Sequence, residues 1–317
     1  MTVRPCCPPK VPASRRVWPL APPALVATAI VVALATAQLR AAEDAAKRLP
    51  APESVGGQQL FSAGVQLSAT FYPGTKGKDN VPVILLHMFE GSGKDYAELA
   101  PFLQGRGCAV LVPDLRGHGE SARPPFGGEP MDPEKMGRAD FTYMFYDDME
   151  KFRAFLVQKN DEGELNLNKL CIVGAEMGAT VGAYYARHDW TTPRREANRA
   201  APSQDVKGLV LISPDWDFRG MPLSRPLNDP FVRTQISTYL VVGKEDTRSY
   251  ADARRAFKLL ERYRGNEDEK SVFLWPLPTK LQGTKLLGVE SLKLEEGVAR
   301  FIELRLIDKP YDWYPRK

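Results

Sequence analysis

The residues that could do chemistry in this chain stand at the ends of its apolar runs. Leu170-Cys171-Ile172-Val173 leads into Gly174-Ala175-Glu176-Met177-Gly178, and small residues follow. A buried strand, a sharp glycine-flanked turn and a helix start is the frame of G-x-S-x-G, which presents a serine as nucleophile. Here the central residue is Glu176. His87, Asp114, Asp215, Asp246 and Gln282 lie at the ends of other strand-like runs. Serine chemistry needs a base to take the hydroxyl proton and an acid to orient that base. Gln282 is an amide that does not titrate near neutral pH, so it cannot shuttle a proton. The other serines near strand ends have no evident base. Ser92 is expected to cap the helix after it, and Ser121 to belong to the loop after Asp114.

These residues need a scaffold of alternating elements. Short strands are expected near 59–62 and 65–72, joined at Ala63-Gly64 like a hairpin. Continuous apolar runs at 81–87, 108–113, 170–173, 206–212, 236–242 and 272–277 read as strands buried on both faces. Helices are expected at 95–103, 139–158, 177–188, 250–264 and 286–306. Residues 216–234, with prolines at 222, 226 and 230, read as an irregular lid loop. Alternating strands and helices imply a mostly parallel sheet with helices on both faces. In such sheets sites form at the carboxyl ends of strands.

Of 317 residues, 43 are basic and 39 acidic, a formal net charge of +4. Arg4, Lys10, Arg15 and Arg16 account for that excess, so the remainder is balanced. Global charge gives no reason to expect a nucleic-acid partner. Residues 1–37 have the basic, apolar and Ala35-Thr36-Ala37 plan of a secretory signal. Export to the periplasm or outside the cell is expected. A membrane anchor over residues 17–39 is the alternative, and it would be the chain's one membrane contact. Residues 38–57 read as a linker, 58–307 as the folded domain and 308–317 as a polar, aromatic tail. Three histidines and four cysteines without metal-ligand spacing point to no metal and no cofactor. The residues leave open whether Cys108 and Cys171 are free thiols or a disulfide.

In combination, these motifs resemble the α/β-hydrolase family over roughly residues 59–306, and within it the small esterases and dienelactone-hydrolase-like proteins. Val83–His87 with Phe89 and Gly91-Ser92-Gly93 is similar to the family's third strand and oxyanion loop. Asp114-Leu115-Arg116-Gly117-His118-Gly119-Glu120-Ser121 is similar to the exit of its fourth strand. Gly243-Lys244-Glu245-Asp246 stands where the triad acid follows strand seven, and Leu281-Gln282-Gly283-Thr284 where the family has His-Gly-Thr. The resemblance implies an α/β-hydrolase fold with an eight-stranded sheet and a minimal cap. It implies Glu176 in the nucleophile position, Asp246 in the acid position and Gln282 in the histidine position. Phe89 and Met177 take the oxyanion-hole positions, and His87, Met88, Asp114 and His118 line the pocket. With two of three triad positions changed, the expectation is a non-catalytic binding or scaffolding protein with a small-molecule or protein partner. In that state Gln282 is expected to donate to both Glu176 and Asp246. The alternatives are a hydrolase of esters or related carbonyl compounds using an altered constellation, and a dehalogenase-like enzyme with Glu176 as nucleophile.

Overall fold

The computed structural model describes residues 49–123, 127–196, 199–202, 204–262 and 271–316. The signal segment expected over residues 1–37 lies outside them. From Leu49 onward the chain is one compact unit. Its centre is an eight-stranded sheet made of β1 (Glu53–Val55), β2 (Ser68–Tyr72), β3 (Val81–Leu86), β4 (Cys108–Asp114), β5 (Leu170–Ala175), β6 (Val206–Ile212), β7 (Ser237–Gly243) and β8 (Val272–Leu277). The strand order is β1-β2-β4-β3-β5-β6-β7-β8. The β1/β2 and β2/β4 pairs are antiparallel, and every other pair is parallel. Every residue of β3, β5 and β7 is buried, as apolar runs covered on both faces require.

Among the described residues eight α-helices flank the strands: α1 (Leu99–Gln104), α2 (Arg138–Tyr143), α3 (Met149–Asp161), α4 (Met177–Thr191), α5 (Ser224–Leu227), α6 (Pro230–Gln235), α7 (Thr247–Glu261) and α8 (Leu294–Ile302). The buried apolar residues fall into two clusters. Phe152, Leu156, Tyr185 and Leu209 belong to one, and Leu103, Val241, Val298 and Phe301 to the other.

The start of the domain differs from the sequence reading. Residues 53–55, assigned to a linker, form the edge strand β1. Residues 57–60 form a 3-10 turn instead of a strand, and only Phe61–Ser62 pairs back with Val65–Gln66. Strand choice here depends on the partner that β2 offers, which lies outside any local window. The segment 216–234 carries a two-residue-strand hairpin and two short helices, α5 and α6. The last helix is also shorter than its pattern, starting at Leu294 after a 3-10 turn at Gly283–Leu286 and ending in a π turn at Glu303–Ile307.

Buried ion pairs fasten the periphery. Arg116 and Asp148 are 1% and 0% exposed and meet in a two-pronged contact, Nε to Oδ2 at 2.9 Å and a second guanidinium nitrogen to Oδ1 at 2.6 Å. Asp205 is held by Arg153 at 2.8 Å and by Arg316 at 2.6 Å. The latter contact docks the tail, together with side-chain amide bonds from Asn160 to the Tyr314 carbonyl and from Asn166 to the Tyr311 carbonyl. Breaking a buried pair by removing one partner strands the other charge in a low dielectric. Asp148→Ala is therefore expected to lower unfolding free energy by about 3–5 kcal/mol in urea titrations. A loss below about 1 kcal/mol would mean that water reaches Arg116.

Candidate functional site

Position 176 is built by backbone contact. A Cβ on Gly174 would stand 2.2 Å from the Gly178 carbonyl oxygen, and one on Gly178 would stand 2.2 Å from that of Leu86. Only hydrogen fits at either place, so α4 lies directly against the ends of β5 and β3. Between the two glycines the chain must turn sharply. Glu176 takes φ 47° and ψ −107°, a conformation L-residues rarely adopt. Its amide donates to the Ile212 carbonyl at 2.9 Å, tying the turn to β6. Such a backbone costs about 1–3 kcal/mol and persists only where the surroundings impose it.

The Glu176 carboxyl is partly exposed and leans toward the loop after β8. A Cβ on Gly283, which has φ 58°, would fall 2.6 Å from Glu176 Oε1 and 2.8 Å from Met88 Sδ. Glu176, Met88 and Gly283 therefore converge. Burial raises the Glu176 pKa, Asp215 adds to the rise, and Lys285 opposes it. Asp215 is itself raised by burial, with Asp252 adding and Arg248 opposing. Asp215 was visible in the sequence as an acid just past the end of β6, but nothing local shows that it faces Glu176.

Gln282 and Asp246 are arranged differently from the expectation. Gln282 does not bridge Glu176 and Asp246. Its Oε1 accepts from Ser213 Oγ at 2.7 Å, and its Nε2 donates to the Gly243 carbonyl at 3.1 Å and more weakly to that of Lys280 at 3.5 Å. Ser213 is 2% exposed, and its Oγ also accepts from the Gly283 amide at 2.9 Å, so its hydroxyl is fully engaged. Asp246 caps α7, accepting from the Arg248 and Ser249 amides at 3.1 and 3.0 Å. A short acceptor before a helix satisfies otherwise unpaired N–H groups.

The four expected pocket-lining residues separate. Met88 stands at Glu176. His87 is fully buried behind it, donating from Nδ1 to the Met88 carbonyl at 2.7 Å and accepting at Nε2 from the Leu115 amide at 2.9 Å. Burial drives its pKa down to about 4, so it is a neutral structural imidazole. Asp114 accepts from the Gly93 amide at 2.7 Å and the Glu120 amide at 2.9 Å, which closes two loops. His118 is also buried, bonded to the Arg116 carbonyl and packed edge-on to Phe89. Ser92 precedes a 3-10 turn and its side chain makes no cap bond, whereas Ser121 ties the loop to the Asp114 carbonyl. The two residues expected at oxyanion-hole positions lie at a helix start and in a turn. Met177 is the first residue of α4, where N–H groups have no intrahelical acceptor. Phe89 is the second residue of the turn closed by Gly91 N–H to the Met88 carbonyl at 3.0 Å. Cys108 and Cys171 are buried free thiols on β4 and β5, which β3 separates.

A family profile described as the alpha/beta hydrolase fold matches residues 81–240. The chain belongs to the α/β-hydrolase family. That match spans the elbow and stops short of Asp246 and Gln282. An esterase from Pyrococcus furiosus superposes with a TM-score of 0.56 at 18% identity, covering 81% of this chain and 91% of its own. A dienelactone hydrolase from Anabaena variabilis gives 0.52 at 17% identity, covering 82% and 100%. One of two fungal esterases from Rhizomucor miehei gives 0.54 at 14%, covering 84% and 88%. At these identities the likeness establishes the fold. No curated protein sequence matches the chain.

A carboxyl whose folded pKa is raised favours folding only while protonated, and that advantage is lost as pH rises through the raised value. Glu176→Gln is thus expected to stabilise the protein at about pH 7.5, with the gain shrinking toward about pH 3.5, where the acid is protonated in both states. Denaturant titrations at the two pH values check this. An equal gain at both, or a loss at neutral pH, would mean that the carboxylate has a stabilising partner.

Proposed function

We propose that this is an exported binding or scaffolding protein built on the α/β-hydrolase fold, with Glu176, Asp246 and Gln282 as the remnant of a triad. One observation carries the reading. The side chain in the histidine position is an amide bonded at both ends, to Ser213 and to the Gly243 carbonyl. A proton relay from position 176 would need a titratable base there. The chain's histidines serve elsewhere: His87 and His118 are buried behind the strand-end loops, and His188 bonds Thr192 near the end of α4. The esterases and dienelactone hydrolase that share the fold support the frame, not their chemistry, for this chain.

The reading of Glu176 as a nucleophile is the weaker one. A carboxyl attacks as its anion, and both burial and Asp215 favour the protonated form. What the site keeps is a half-buried acid beside two backbone donors, which suits holding a polar group better than turning it over.

A serine-directed fluorophosphonate probe tests the loss of chemistry. The purified protein is expected to remain unlabelled, and Glu176→Ser combined with Gln282→His is expected to gain labelling. Labelling of the unsubstituted protein at any serine, or ester turnover that Asp246→Ala abolishes, would overturn the reading. Export is tested by N-terminal sequencing of protein recovered from the periplasm or medium. Cleavage after Ala37 is expected, and recovery of the intact segment from membranes would favour the anchor.

A further inference from the structure

Away from the elbow, a cavity of about 290 Å³ lies between the sheet and α8. Tyr239, Phe273, Trp275 and Phe301 wall it, Gly297 lies along it, and Arg300 and Arg305 stand among its lining. The sequence builds it from alternation. Tyr239 of β7 pairs with Phe273 of β8, and Trp275, two residues on, shares their face. Gly297 lets the helix meet that face, since a Cβ there would stand 2.2 Å from the Trp275 ring. Three of the rings are nearly parallel, with Tyr239 tilted 15° from Trp275 and 19° from Phe301, and Phe273 meets Phe301 edge-on at 78°.

One polar group inside this apolar slot is unspent. Tyr239 is only 9% exposed, no hydrogen bond joins its hydroxyl to a described residue, and the oxygen is not sealed from solvent. That oxygen would lie 3.0 Å from a Cβ on Gly297, so it stands at the cavity wall. A tyrosine hydroxyl at the edge of an apolar wall takes water or a ligand as its partner. Burial raises the Tyr239 pKa, which keeps the proton on the oxygen as a donor. The nearby guanidiniums can only donate. Arg300 pairs with Glu303 at 2.6 Å, Arg305 Nε donates to Ser237 Oγ at 2.9 Å, and both guanidiniums stand among the lining.

We propose that this slot binds a flat aromatic carboxylate, its ring packed against the aromatic walls and its anionic oxygen accepting from Tyr239 Oη near Arg300 and Arg305. Aromatic walls offering both faces and edges favour a planar apolar body. Tyr239 Oη can donate and the guanidiniums only donate, so the polar set favours an acceptor, and an anion above a neutral one. The site is separate from the elbow. Tyr239 lies four residues before Gly243, the end of β7 that holds Gln282, or about 13 Å along the strand.

Calorimetric titration of the whole protein with 2-naphthoate and with uncharged 2-acetylnaphthalene tests this. Submillimolar binding of 2-naphthoate is expected, with the uncharged compound at least about fivefold weaker. Tyr239→Phe keeps the ring and removes only the hydroxyl. It is expected to weaken 2-naphthoate about tenfold or more, with little change for 2-acetylnaphthalene and an unchanged melting temperature. Absence of binding at about 1 mM, equal affinity for the two compounds, or an unaltered Tyr239→Phe would overturn the proposal. Leu304 is an exposed residue of the same lining, and a dimer, seen by sedimentation, that Leu304→Glu dissociates and that 2-naphthoate leaves untouched would also overturn it.

Discussion

The backbone of α4 rests on the backbone of β3 and β5 with no side chain between them, and the rest of the site depends on that contact. Gly174 and Gly178 are the places in this contact where a Cβ would collide with a carbonyl. Satisfying both forces the chain through an unfavourable φ at position 176. It also aims the first turn of α4, with its unpaired N–H groups, toward the loop that carries Phe89. The turn is therefore independent of what residue occupies it. The strain remains although the serine is absent, because it is imposed by helix and strands, not by chemistry.

Around that contact, polar side chains that would ordinarily belong to catalysis are committed to holding loops. His87 links the Met88 carbonyl to the Leu115 amide, Asp114 closes the loops at Gly93 and Glu120, and Asp246 caps α7. Gln282 joins the Ser213 hydroxyl to the Gly243 carbonyl and so binds the end of β6 to the end of β7. Each is a buried or half-buried polar group whose bonds are made internally, as a low-dielectric setting demands. The strand ends are thereby tied to one another.

Glu176 is the exception. Its neighbours include another acid, Asp215, and a lysine too weakly coupled to reverse the effect of burial. The same electrostatics disfavour a carboxylate nucleophile. The aromatic slot at β7, β8 and α8 presents a comparable imbalance in a neutral form, with one donor, Tyr239 Oη, left over inside an apolar wall. Both places hold a polar group that the fold itself does not satisfy, and both are reached from solvent.

Much of the fold was legible in the sequence. Apolar runs with glycine-marked ends locate six of the strands, β3 through β8, within a residue or two, because burial on both faces leaves no polar position in them. The spacing of Gly174, Glu176 and Gly178 locates the elbow, because the turn needs two missing side chains at a set separation. The oddity of Glu176 and Gln282 is likewise readable, being a matter of residue identity. The tertiary structure alone decided which short segment near the start joins the sheet, since β1 is chosen by the free edge of β2. It also decided the partners of Gln282, the nearness of Asp215 to Glu176 and the unpaired hydroxyl of Tyr239. Those facts depend on side chains from strands far apart in sequence meeting at one end or one face of the sheet, and no local pattern of residues encodes such a meeting.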